Sequence, residues 1–156
     1  MRELIIDLDA IAANLATMRS KVSAPMVMGV VKADAYGHGM IQVARKLEAA
    51  GVDYLGVADI EEALALREAQ IDLPILAWLH SPNETFVRAV DAGIELGVAN
   101  AEQLNRIAKA AQHLGRVAER DRRRGETGGA GELTSGQGHG NVLHRKGNGG
   151  RRLGAL

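Results

Sequence analysis

MVMGVVKADAYGHG, residues 26–39, decides the fold. An apolar run from Met26 to Val31 stops abruptly at Lys32, and a polar turn punctuated by Gly37 and Gly39 follows. Val30 and Val31 favour a strand, and an unbroken apolar run suits a strand buried on both faces. Lys32 then stands where a parallel strand leaves its sheet, the end at which α/β folds place their chemistry. A lysine there has two readings. It snorkels from the strand end to water, or it is an amine desolvated enough to attack a carbonyl as a Schiff-base nucleophile.

Outward from this stretch the chain repeats strand, turn and helix four times. Strands are expected at 26–31, 54–58, 75–79 and 95–98, and helices at about 40–50, 60–69, 83–92 and 101–114. Three helix starts carry capping chemistry: Asp59 with Glu62, Ser81 with Glu84 (Pro82 following), and Asn100 with Gln103. Gly51, Gly93 and Gly115 supply left-handed C-caps, and Gln70 takes the equivalent place at a higher backbone cost. Before the repeat, Leu4–Leu8 reads as a short β-like run. Asp9 reads as an N-cap for a helix carrying Ile11, Leu15, Met18 and Val22 at helical spacing and closed by Pro25. Short strands about 20 residues apart, each followed by a helix, argue for right-handed βα units on a parallel sheet. The expected class is therefore α/β, a partial (β/α)₈ TIM-type barrel of about four units, with a doubly wound sheet as the architectural alternative. No phosphate-binding glycine fingerprint follows any strand, because Gly37-His38-Gly39 lacks the G-x-G-x-x-G form.

The net charge of zero conceals a division. Residues 1–115 hold 10 Lys/Arg against 15 Asp/Glu, whereas residues 116–156 hold 9 against 4, together with 11 of the 19 glycines. Val117, Leu133, Val142, Leu143, Leu153 and Leu156 are the large apolar residues of that segment, too few to offset its ordering entropy. The expected organisation is an ordered unit over 1–117 and a disordered Gly/Arg-rich tail over 118–156. A shift of reading frame near Val117–Arg120 accounts for such a tail. A basic nucleic-acid-binding tail is the alternative, but no aromatic residue follows Phe86, so base stacking is not on offer. Cysteine is absent, which excludes disulfides and thiolate metal sites. His80, His113, His139 and His144 have no partner at metal-ligand spacing. Glu3, Asp7 and Asp9 interrupt what a signal peptide needs as an apolar core, and no run approaches the roughly 20 apolar residues of a membrane span. A cytoplasmic protein without nucleic-acid or membrane partners is expected.

The ten residues VVKADAYGHG resemble the lysine motif of alanine racemases, pyridoxal 5′-phosphate enzymes of the fold-type III barrel class. Lysine, tyrosine and Gly-His-Gly all stand at the family's spacing, and the likeness runs from Leu4 to about Val117. The resemblance implies that Lys32 is the catalytic lysine that binds the cofactor covalently, and that Tyr36 hydrogen-bonds its phosphate. It implies interconversion of L- and D-alanine, supplying D-alanine for peptidoglycan, in a homodimer. Past about Val117 the likeness stops. Where the family continues with a K-x-D-T-G-x-x-R block, Gly125, Glu126, Thr127 and Gly128 stand instead.

Racemisation needs acid/base groups on both faces of the substrate Cα. The family's second group is a tyrosine of the C-terminal domain, and this chain holds only Tyr36 and Tyr54, both too early to be it. The expectation is a truncated, inactive form of the racemase. The alternatives are a non-catalytic cofactor-binding remnant and another fold-type III enzyme such as an amino-acid decarboxylase. Three further side chains complete the reading. His38, between two glycines, is expected to bond backbone. Trp78, near the end of the third strand, is expected to pack in the core, with a contact to the cofactor ring as the alternative. Asp34 is expected to point away from Lys32, because a paired carboxylate would raise the lysine's pKa.

Overall fold

In the computed structural model, residues 2–115, 119–121 and 141–144 are described. Asp7 opens the first helix, α1 (Leu8–Lys21), by accepting from the Ala10 backbone N–H at 3.0 Å. The cap therefore lies two residues earlier than the expected Asp9, which sits in the first turn and pairs with Lys46. Residues 2–6 form no strand. A β-run needs a neighbour for its backbone groups, and among the described residues none lies beside Leu4 and Ile5, which are 81% and 77% exposed. Arg19 fastens α1 to the sheet, donating to the Gly51 carbonyl and to Asp53, each at 2.6 Å.

The repeat then unfolds as expected. β1 (Met28–Val30), β2 (Tyr54–Val57), β3 (Ile75–Ala77) and β4 (Glu95–Val98) pair in parallel and in sequence order. After β1 come the short α2 (Lys32–Gly37) and then α3 (Met40–Ala49). α4 (Ile60–Glu68), α5 (Val87–Asp91) and α6 (Ala101–His113) follow the other three strands. Strand residues alternate between two faces. Leu55, Val57, Ile75, Ala77 and Leu96 turn towards the helices and are at most 1% exposed; Leu66, Ile71 and Ile107 meet them. Gly51, Gly93 and Gly115 take positive φ at the helix ends, and so does Gln70 at 61°, the costlier cap expected there.

Two boxes form at the expected places. Asp59 accepts from Glu62 N and Asn100 from Gln103 N, both at 2.9 Å. The Ser81–Glu84 box does not form. Glu84 N instead bonds the Ser81 carbonyl, and α5 starts at Val87. The reason lies on α6: the Arg106 guanidinium holds the carbonyls of Pro82 and Glu84, fixing an irregular segment where a first helical turn was expected.

Two short strands are described within the segment expected to be a tail. β5 (Glu119–Asp121) and β6 (Asn141–His144) pair antiparallel, and β6 continues onto β4. A parallel edge strand presents a row of unpaired backbone groups, and β6 satisfies those of β4. The rest of 118–156, and the disorder expected of it, lies outside the described residues. The sheet order is β1-β2-β3-β4-β6-β5, so β1 is an edge. On its face away from the helices Met28 and Val30 are 38% and 49% exposed.

Candidate active site

Lys32 sits where the sequence placed it, directly after β1, whose last register pair is Val30 with Gly56. Val31 N donates to the Gly56 carbonyl at 2.9 Å and carries the ladder one residue further. The backbone then reverses hand. Ala33, Asp34, Ala35 and Tyr36 have φ between 51° and 54° and ψ between 39° and 49°, one turn of left-handed helix built from L-residues. Each such residue costs roughly 1–2 kcal/mol, so the turn persists only where its surroundings over-determine it.

The surroundings do so at four points. Ala35 N donates to the Val31 carbonyl at 2.9 Å and Gly39 N to the Asp34 carbonyl at 3.0 Å. Asp34 Oδ1 accepts from Met40 N at 2.6 Å, capping α3. Glu62 Oε1, on α4, accepts from Ala33 N at 2.6 Å. Asp34 thus faces α3 rather than Lys32, and His38 Nδ1 lies 2.8 Å from the Ala35 carbonyl, a backbone partner as expected. The contact of Glu62 with Ala33 was not legible, since spacing alone accounts for Glu62 as a helix cap.

The turn brings the two candidates together. The Lys32 ammonium lies 6.0 Å from the centroid of the Tyr36 ring, and Tyr36 is 70% exposed. Next to them the face of the sheet away from the helices is shaped by glycine. A Cβ on Gly56 would stand 2.7 Å from the Trp78 ring and 2.8 Å from Met28 Sδ. Trp78 is half-buried on that face, outside the helix-packed core in which the sequence reading put it. A primary amine, a phenol and a flat surface of Gly56 and Trp78 fit an aldehyde-bearing aromatic cofactor with a phosphate: carbonyl for the amine, anion for the hydroxyl. Among the described residues no group of His, Asp and Glu has the geometry of a metal site.

At the end of β3, His80 packs edge-on against Phe86, ring centroids 5.4 Å apart. Burial holds its imidazole below the ordinary 6.5, opposed by the Gly97 and Leu79 backbone and by the charges of Glu84 and Asp59. Between the lowered value and 6.5 the unfolded chain binds more protons than the folded one. Stability therefore rises with pH through that window and is lost as pH falls through it. Thermal unfolding of the parent and of His80→Phe between about pH 5 and 8 is expected to show this acid loss in the parent alone. Parallel curves for the two would refute it.

An open parallel sheet of βα units with an amine on the turn after its first strand is the opening part of a lysine-bearing α/β barrel. Residues 6–120 match the family model "Alanine racemase, N-terminal domain". The chain is 50% identical over 116 residues to the alanine racemase of Thermobifida fusca (74% of this chain, 31% of that one). It is 49% identical over 116 residues to that of Mycolicibacterium smegmatis (74% and 30%). Among solved structures, alanine racemase from Streptomyces coelicolor superposes with a TM-score of 0.68 at 40% identity, covering 70% of this chain and 30% of that one. The enzyme from D-cycloserine-producing Streptomyces lavendulae gives 0.69 at 40% identity, covering 71% and 29%. The chain belongs to the alanine racemase family. It spans about 30% of the length of these relatives, and the part it spans is their N-terminal barrel portion. No helix among the described residues is long and apolar enough to cross a membrane.

Proposed function

We propose that this chain is the lysine-bearing portion of a cytoplasmic alanine racemase that interconverts L- and D-alanine with pyridoxal 5′-phosphate, works as a homodimer and supplies D-alanine for peptidoglycan. One observation carries the reading: the amine of Lys32 stands on a braced turn at the strand end, with the Tyr36 ring beside it. When bound, pyridoxal phosphate supplies a carbonyl for the lysine and a ring that accepts the electrons left on the substrate Cα. Lys32 Nζ would hold that carbonyl and would take or return the Cα proton on one face. The Tyr36 hydroxyl would donate to the phosphate. The opposite face needs a second proton carrier. Of the two tyrosines in these 156 residues, Tyr36 is assigned to the phosphate and Tyr54 is buried in β2 opposite Met28. A protein of these residues alone is therefore expected to bind the cofactor without racemising alanine. The exposed edge at Met28 and Val30 supports that incomplete form as well.

Trapping tests the reading. The purified chain is incubated with pyridoxal phosphate, reduced with borohydride, digested with trypsin and mapped by mass spectrometry. The adduct is expected on Lys32, in a Val22–Arg45 peptide left uncut at the modified lysine. An even spread over Lys21, Lys46 and Lys109 with no preference for Lys32 would overturn the lysine assignment. D-alanine formation by the cofactor-loaded chain before reduction would overturn the incompleteness.

A further inference from the structure

Glu62 does more than cap its own helix. In the equivalent box on α6, Gln103 reaches back with its one carbonyl oxygen to Ala99 N at 2.9 Å, which suffices for capping. Glu62 makes the corresponding bond, Oε2 to Ala58 N at 2.8 Å, and has a second acceptor left over. That oxygen crosses to the preceding unit and takes Ala33 N at 2.6 Å. Ala33 is the residue directly after Lys32 and the first of the four left-handed ones. Charge-assisted bonds of this length are the strong kind, and this one ties the turn after β1 to the rigid start of the helix after β2. Asp59 holds Glu62 in turn by accepting from its backbone N–H at 2.9 Å.

We infer that Glu62 is a positioning residue for Lys32: its carboxylate, shared between Ala58 N and Ala33 N, locks the left-handed turn that aims the lysine amine at its carbonyl ligand. The inference rests on Lys32 being the cofactor lysine. A carboxylate is required, because a glutamine offers one acceptor and would turn its NH₂ against the other N–H.

The test compares lysines within one sample. The parent chain, Glu62→Gln, Glu61→Gln and the double variant Glu62→Gln with Ala33→Gly are trapped with pyridoxal phosphate and borohydride, and labelling of Lys32 is divided by that of Lys109. Glu62→Gln is expected to lower the ratio about tenfold, the size of one lost charge-assisted hydrogen bond. Glu61→Gln should leave it unchanged, since Glu61 faces Arg88 at 2.9 Å. Glycine adopts positive φ freely, so Ala33→Gly in the Glu62→Gln background should restore much of the ratio. A mere loss of helix capping would not be rescued at Ala33. An unchanged ratio in Glu62→Gln overturns the role. A parent showing no preference for Lys32 overturns the lysine assignment and this inference with it. Amide hydrogen exchange on the parent decides the contact without cofactor or variant: Ala33 N–H is expected to be protected, and exchange at the rate of a free amide overturns the clamp.

Discussion

Lys32→Ala is expected to abolish the trapped adduct in the Val22–Arg45 region while leaving the unfolding free energy within about 0.5 kcal/mol of the parent. The two halves of that result come from different physics. Chemically, alanine has no nucleophile, and no other lysine stands on this turn. Energetically, Lys32 is half-buried, and its side chain meets the Tyr36 ring at 6.0 Å, a cation–π contact worth about 0.5 kcal/mol at such a site. Lys32→Arg sharpens the case. It keeps charge and reach, but a guanidinium stays protonated and should trap nothing. Trapping elsewhere at parental levels in both variants would show that the turn does not select the lysine.

Arg67→Ala should have the largest effect on stability, about 3 kcal/mol. Arg67 lies near the end of α4, and its guanidinium gathers three carbonyls from two segments. Nη1 donates to Ile71 at 2.6 Å and to Leu73 at 2.8 Å, and Nε donates to Ala92 at 3.2 Å. These carbonyls lie around the loop into β3 and at the end of α5, so one planar fork stitches two βα units together. Removing it leaves partly buried acceptors without donors, which costs more than the bonds themselves contributed. Arg88→Ala is the control, because its ion pair with Glu61 is exposed and worth at most about 1 kcal/mol. Urea unfolding of the three proteins checks this through their midpoints. Equal shifts for the two variants would refute the stitching role.

Local signals carried the repeat. The apolar runs at 26–31, 54–58, 75–79 and 95–98, the boxes at Asp59 and Asn100 and the glycine C-caps each act within a few residues, and there the elements form, with three of the strands shorter than their runs. The larger departures turn on contacts far along the chain, made or missing. Arg106, more than 20 residues away, dissolves the expected start of α5. Leu4–Leu8 has strand-like composition but no strand beside it. β6 pairs with β4 across a long interval of chain. At the site, Lys32 and Tyr36 were legible as a motif at family spacing. The backbone between them was not. Alanine at 33 and 35 is a strong former of right-handed helix, and nothing in its composition announces positive φ. The bracing side chains were visible only in part, Glu62 as a cap and Asp34 as a carboxylate kept from the lysine.

The hand of that turn reverses the usual rules of protein engineering at Ala33–Tyr36. Substitutions that raise ordinary helix propensity work against the native backbone there, because they favour its mirror image. A chain assembled by chemical ligation with D-alanine at 33 and 35 would hold the same φ and ψ in a relaxed state. Its loop would close around the lysine with less dependence on the acids that brace it. Stereochemical editing of two methyl groups thus separates the cost of the conformation from the chemistry it presents.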